Sequence, residues 1–260
     1  MALPLLLGHR GSRASAGVPE NTFASFDLAL KHGCDGFEFD VRLTACGTAV
    51  VCHDPKVGGI TVARAQAKRL PQLPRLDQVI KDYGQRAFLD IELKVKDLES
   101  KVLTALSRDP PGRDYVVSSF IPDVVMDLEA RSPTVCIGLI CETAAQLAHW
   151  RDLPVDCVIP HQSLVNRSLV QDIQGAGRRI FVWTVNDEEG MRRLAHWGVD
   201  GIISDDTELL VRTLRGTAPP KAHGVAGEGE PSGRSERLRQ STIRILGRSP
   251  PGRARLQSCR

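Results

Sequence analysis

The chain has 260 residues, 42% of them hydrophobic and 25% charged, with a formal net charge of +3. These shares are those of an ordinary soluble globular protein. The early apolar run Leu5-Leu6-Leu7 breaks at Gly8-His9-Arg10, far short of the roughly 20 residues of a spanning helix and without a signal-peptide pattern, so a cytoplasmic chain with no transmembrane segment is expected.

The net charge conceals a split. Residues 217–260 carry nine Lys/Arg and three Glu, whereas residues 1–216 carry twenty-five bases and twenty-eight acids. The mildly acidic part offers no basic footprint for nucleic acid. Weak contact of the basic tail with anionic lipid is expected. The seven cysteines (34, 46, 52, 136, 141, 157 and 259) contain no CxxC and no paired spacing, which predicts buried reduced thiols rather than a disulfide or zinc framework.

The periodicity alternates strand and helix along the chain. Leu5–Leu7 reads as a strand and Asn21–His32 as a helix stopped by Gly33. Gly36–Leu43 reads as a strand that Ala49–Cys52 extends, and Leu76–Tyr83 as a helix. Strands over Ala87–Leu93, Tyr115–Ser118, Val135–Ile140, Cys157–Ile159, Arg179–Val185 and Gly201–Ile203 follow. Each precedes a helix: Leu98–Ser107, Pro122–Ala130, Ala144–Trp150, Arg167–Ala176, Glu188–His196 and Glu208–Leu214. These eight strand–helix units predict an α/β fold, a (β/α)8 TIM barrel over residues 1–216, in which functional residues lie at the C-terminal strand ends. After Thr217 there is no aromatic residue and little periodicity, so the tail over residues 217–260 is expected to be disordered.

Chemistry-bearing residues fall where that rule puts a site. His9-Arg10-Gly11 closes the first strand, Glu38 and Asp40 lie two apart in the second, and His53-Asp54 closes the segment after it. Residues two apart in a strand share a face, so both carboxylates point one way and Phe37 and Phe39 the other. Glu92 and Lys94 share a face in the same manner, and could equally be a structural ion pair. Carboxylates suit Mg²⁺ or Ca²⁺, where zinc would draw on histidine and cysteine. Two histidines can divide acid and base work, Arg10 can grip a phosphate with its planar fork, and Lys94 can serve as a point charge. Charges inside an apolar strand call for a partner or a metal.

Together these motifs resemble the glycerophosphodiester phosphodiesterase family. The resemblance rests on His9-Arg10-Gly11, Pro19-Glu20-Asn21-Thr22, Gly36-Phe37-Glu38-Phe39-Asp40-Val41, His53-Asp54, Glu92-Leu93-Lys94, Trp183-Thr184-Val185-Asn186 and Gly198-Val199-Asp200-Gly201-Ile202-Ile203-Ser204-Asp205. It spans residues 3 to about 214. It implies a TIM barrel of lipid metabolism that hydrolyses glycerophosphodiesters to glycerol 3-phosphate and an alcohol with Mg²⁺ or Ca²⁺. It further implies Glu38, Asp40 and Glu92 as metal ligands, His9 and His53 as the acid/base pair, and Arg10 and Lys94 as phosphate contacts.

Other positions admit two readings. Glu20 is a partner of Arg10 or the metal, or only a charge at the start of the first helix. Trp183 is a substrate-binding wall or ordinary core. His161 and Gln162 are candidates for the pocket rim, and His32, His149 and His196 for solvent-facing helix positions. The family's sizeable insertion after His-Asp is mostly missing here, since only a short run separates Asp54 from Pro74. A more open site follows, so the alternative to small glycerophosphodiesters is a lysophospholipase D-type reaction on bulkier diesters. A barrel that only binds is the remaining alternative, disfavoured by the complete set of residues.

Overall fold

The computed structural model describes residues 3–216. The basic tail and Cys259 lie outside the described residues. Eight strands form the barrel: β1 (Leu5–Gly8), β2 (Gly36–Leu43), β3 (Phe88–Leu93), β4 (Tyr115–Ser119), β5 (Ile137–Cys141), β6 (Cys157–Pro160), β7 (Arg179–Val182) and β8 (Gly201–Ser204). Each pairs in parallel with the next, and β8 closes on β1 from Leu5↔Gly201 to Gly8↔Ser204. The helices between them are α1 (Phe23–His32), α2 (Leu76–Tyr83), α3 (Glu99–Arg108), α4 (Pro122–Arg131), α5 (Ala144–Ala148), α6 (Arg167–Gly175), α7 (Glu188–Trp197) and α8 (Thr207–Arg215). All eight expected units are present. Among the described residues, no helix is long and apolar enough to cross a membrane, and all six cysteines are free; four are buried as expected, but Cys136 is half-buried and Cys46 is exposed.

Alternation along the strands sorts the two cores. On β2, Phe37, Phe39 and Val41 face the helices and are fully buried. Phe26 of α1 stacks on Phe37 at 4.2 Å, and Tyr83 of α2 meets Phe37 edge-on at 5.1 Å. Burying each such ring is worth roughly 1.5–3 kcal/mol. A second, smaller cluster, including Leu7, Phe88, Phe181 and Ile203, packs apart from the first. These residues sit on the opposite strand faces and fill the barrel. Gly36 faces this interior, where a Cβ would come within 1.9 Å of the Phe88 carbonyl oxygen, so only hydrogen fits.

The structure corrects several boundaries. Helix α1 starts at Phe23, because Thr22 is its cap: Thr22 Oγ1 accepts from Ser25 N–H and Ser25 Oγ accepts from Thr22 N–H. Asn21, expected in the helix, takes a left-handed φ of 57°. Helix α5 is a short piece capped by Thr143, followed by a 3₁₀ turn over His149–Arg151. His32 is half-buried rather than solvent-facing, with Nδ1 2.7 Å from Thr207 Oγ1; His149 and His196 are exposed as expected.

The segment Ala49–Val51 does not prolong β2. It turns back antiparallel along it, with Val41↔Val51 and Leu43↔Ala49. His53 is thereby returned toward the level of Asp40, whose carbonyl oxygen accepts from Cys52 N–H at 3.0 Å. The run that follows is a small ordered excursion. It contains a hairpin pairing Lys56–Val57 with Ile60–Thr61 and two 3₁₀ turns. Val50, Cys52, Val62, Ala65 and Leu70 form its own apolar core.

Candidate active site

The ladder between β2 and β3 spaces the acidic residues. Glu38 pairs with Asp90 and Asp40 with Glu92, so four carboxylates face the barrel interior in two layers. Ligand oxygens of Glu38, Asp40 and Glu92 lie within 4.8 Å of one another, and all three residues are buried. Buried carboxylates this close repel one another. Burial, then the charges of Asp40, Glu92 and Asp90, push the Glu38 carboxyl well above its usual range. Burial and Asp40 likewise raise Glu92 to about 7. Burial opposes ionisation of Asp40 too, yet Lys94, Arg10 and the Asn21 amide outweigh it and hold its carboxyl down.

The protein answers this negative charge only in part. Lys94 Nζ sits 2.7 Å from Glu92 Oε1 and 3.4 Å from Asp40 Oδ1. Arg10 Nε lies 3.2 Å from Asp40 Oδ2. Glu38 Oε1 is buried with no hydrogen-bond partner. An unpartnered buried carboxylate oxygen beside two other carboxylates fits a hard divalent cation, which takes oxygen ligands.

Local backbone geometry aims the neighbouring groups. Arg10 and Gly11 at the end of β1 have φ of 51° and 82°, a left-handed turn that non-glycine residues seldom adopt. The turn points the Arg10 N–H at Glu38 Oε2, 2.9 Å away. Asn21, left-handed as well, donates through Nδ2 to Asp40 Oδ2 at 2.8 Å and accepts the Asp40 N–H on Oδ1. Of the two readings of Glu20, contact with Arg10 is the one observed, Arg10 Nη1 donating to Oε1 at 2.9 Å. Glu20 Oε2 accepts from Arg13 Nε at 2.7 Å.

Both histidines reach the same cavity, of about 290 Å³, with Arg10, Glu38, Glu92 and Lys94 in its lining. His9 Nδ1 is 2.6 Å from Asp205 Oδ1, and its Nε2 is 3.8 Å from Glu38 Oε2. His53 Nδ1 is 2.8 Å from Asp54 Oδ1 at the more exposed edge. The lining from the later strands is mostly apolar, Phe120, Ile140, Ile159, Trp183 and Ile203, with Glu142 as its one acid. Trp183 lies edge-on to Phe120 at 5.5 Å and donates through Nε1 to the Ile159 carbonyl oxygen at 3.0 Å. Trp183 is therefore cavity wall, not closed core. His161 packs edge-on against Trp183 and Gln162 Nε2 donates to the Thr184 carbonyl oxygen; neither lines the cavity. Residues 55–74 contribute nothing to the lining either.

Three residues at the site were not singled out from sequence. Asp205 pairs with His9, and is itself held by Asn186 Nδ2 at 2.7 Å and Arg13 Nη1 at 3.3 Å. Burial opposes its ionisation, but the His9 contact, Asn186 and Arg13 win and depress its carboxyl below the usual range. Asn21 orients Asp40. Asp90 lies beside Glu38 on the neighbouring strand, its Oδ1 accepting from Ser118 Oγ at 2.5 Å, and burial raises it to about 7. Asn21, Asn186 and Asp205 all stand inside the motif blocks quoted above, but a block does not reveal what a side chain touches.

The model of the glycerophosphoryl diester phosphodiesterase family matches residues 9–100 and 78–209. A glycerophosphodiester phosphodiesterase of Caldanaerobacter subterraneus is 31% identical over 239 residues, 81% of this chain and 98% of that protein. A probable glycerophosphodiester phosphodiesterase 1 of Mycobacterium tuberculosis is 54% identical over 235 residues, 72% of this chain and 83% of that protein. Among solved structures, an Oleispira antarctica phosphodiesterase in complex with the product sn-glycerol-3-phosphate superposes with a TM-score of 0.70. It is 27% identical, with 82% of this chain and 97% of that chain covered.

Proposed function

Because the chain belongs to the glycerophosphoryl diester phosphodiesterase family and is a phosphoric diester hydrolase, we propose that it cleaves glycerophosphodiesters to glycerol 3-phosphate and an alcohol with a divalent cation, Mg²⁺ or Ca²⁺. The observation that carries this reading is the buried trio Glu38, Asp40 and Glu92, of which Glu38 and Glu92 line one cavity with both histidines. The trio would hold the cation, which when bound neutralises phosphate oxygens as a Lewis acid.

The chain's own groups do the rest. Arg10 and Lys94 contact the phosphate. Asn21 and Arg10 hold Asp40 in place. His9 donates Nδ1–H to Asp205 and His53 donates Nδ1–H to Asp54, which leaves each Nε2 for proton transfer. One Nε2 takes the nucleophile's proton and the other, protonated, supplies the leaving alkoxide. Glu20 fixes the Arg10 guanidinium, and Trp183 borders the alcohol part of the diester.

A second reading, lysophospholipase D-type cleavage of bulkier diesters, draws on the apolar wall and on the absence of residues 55–74 from the lining. A panel of glycerophosphocholine, glycerophosphoglycerol and lysophosphatidylcholine, assayed with Mg²⁺, with Ca²⁺ and with EDTA, separates the two. Release of glycerol 3-phosphate that EDTA abolishes is expected. Turnover of the lysolipid alone would replace the first reading by the second. No turnover of any diester with either cation would leave a binding barrel.

A further inference from the structure

Residues 55–75, between the antiparallel return beside β2 and helix α2, contain Lys56, Arg64, Lys68, Arg69 and Arg75 and no Asp or Glu. The rest of residues 1–216 holds twenty Lys/Arg against twenty-eight Asp/Glu. The five cations are therefore a positive island on an otherwise acidic barrel. All five are exposed, and none forms an ion pair among the described residues. Most exposed arginines elsewhere are paired, as Arg86 is with Asp27, Arg131 with Asp127, Arg192 with Glu188 and Arg193 with Glu189; Arg113 and Arg167 are exposed without an ion pair, but each stands apart from other cations in the sequence.

The island is a folded platform. Its hairpin and 3₁₀ turns close over their own apolar core, with Val57, Ile60 and Leu73 packed against it. Its position is equally specific. It begins directly after His53-Asp54, and His53 lines the catalytic cavity. Whatever the island touches, the mouth of the cavity is brought close to.

Charge and composition select the occupant. Residues 217–260 carry nine bases and three acids, the same sign as the island, so charge complementarity does not select them as its occupant. Single-stranded nucleic acid is held by stacking on aromatic rings as well as by charge, and residues 55–75 contain no Phe, Tyr or Trp. An anionic bilayer needs only clustered surface cations, four to eight in known polybasic segments. We propose that the excursion over residues 55–75 docks the enzyme on an anionic phospholipid bilayer with the cavity mouth at the membrane surface. This stands on the charge distribution and goes beyond the catalytic reading.

The test is co-sedimentation of the full chain with vesicles of phosphatidylcholine doped with phosphatidylglycerol, against pure phosphatidylcholine. The comparison variant is K56Q/R64Q/K68Q/R69Q/R75Q. Each surface cation is worth roughly fivefold in partitioning, so the variant should lose at least about 10-fold, even with the basic tail intact. Wild-type partitioning should fall as salt rises. Turnover of a soluble diester should be unchanged, since none of the five lines the cavity. R64K/R69K/R75K, which keeps the charge, should bind like wild type. If the fivefold variant does not fold, R64Q/R69Q carries the same comparison. Equal partitioning of wild type and variant, or no preference for phosphatidylglycerol, overturns the proposal. So does tighter retention on duplex RNA than on vesicles at the same salt, if the variant loses it. Because binding is read without turnover, an inactive enzyme leaves this test intact.

Discussion

His9 Nδ1 and Asp205 Oδ1 meet at 2.6 Å across 196 residues of sequence, joining the end of β1 to the end of β8. Barrel closure creates the contact, since β1 and β8 pair directly up to Gly8↔Ser204. The carboxylate accepts the Nδ1 proton and leaves Nε2 facing the cavity. Asp205→Asn would present an amide N–H or a weaker acceptor and disturb that tautomer. The expected result is a fall in kcat of roughly 10²-fold, within the usual span of an acid/base contribution, with KM little changed. Asp205→Glu should recover part of it. A change in KM alone would make Asp205 a substrate contact.

The carboxylate trio should reveal itself through stability as well as rate. A cation that binds only the folded chain stabilises it, by about 2.7 kcal/mol at 100 times Kd. The Tm of the wild type should therefore rise with Mg²⁺ or Ca²⁺ and return in excess EDTA. Glu38→Gln and Asp40→Asn should lose the rise and lower kcat by about 10³-fold. A variant that keeps the full thermal shift would place the cation elsewhere.

Cys46 gives a pH-dependent signal away from the site. Hydrogen bonding by Thr44, Thr48 and the Ala67 N–H lowers its exposed thiol to about 6. Burial raises Cys34 and Cys141 to about 12 and Cys52 to about 11. A lowered thiol ionises earlier, so alkylation of the Cys46 peptide by iodoacetamide should climb between about pH 5 and 7 and then level off. The buried thiols should stay unlabelled over that range. Mass spectrometry that finds Cys46 labelled only above about pH 8 would contradict the assignment.

The aromatic layer outside β2 sets a stability expectation. Phe26 is fully buried against Phe37, Phe39 and Tyr83. Phe26→Ala should cost about 3–5 kcal/mol and lower Tm by roughly 10 °C. Cavity chemistry faces the other side of β2, so the folded fraction should keep its turnover. Denaturant unfolding with an unchanged m-value checks the first point, and an assay well below Tm checks the second.

Much of this was readable in the chain. The period-two placement of Glu38 and Asp40 against Phe37 and Phe39 announces both faces of β2, because a strand has only two. The eight strand–helix units announce the closed barrel. What sequence could not supply was contact made by closure or by reversal. Asp205 reaches His9 only because the last strand lies beside the first. His53 reaches the cavity because Ala49–Val51 doubles back, whereas an apolar run cannot show its direction. Asn21 looked helical by position, but its contact with Asp40 requires leaving the helix. The short run after Asp54 read only as a mostly missing insertion, since it buries just three apolar side chains of its own, Val62, Ala65 and Leu70.

The charged constellation is concentrated at one end of the chain. His9, Arg10, Glu20, Glu38, Asp40, His53, Glu92 and Lys94 all fall within the first 94 residues, on β1 to β3 and their loops. The later strands contribute Phe120, Ile140, Ile159, Trp183 and Ile203 to the cavity lining, with Glu142 as their one acid. On the proposed reading, the reactive groups therefore lie in the first 94 residues, with Asp205 the exception, and the contacts with the alcohol lie mainly in the later strands. A chimera that keeps residues up to 94 and takes its remaining strands from a relative would retain the reaction and inherit the other parent's preference for the alcohol, provided an Asp still meets His9 across the seam. Recombination, rather than substitution at the reactive centre, is the route this architecture opens to new substrates.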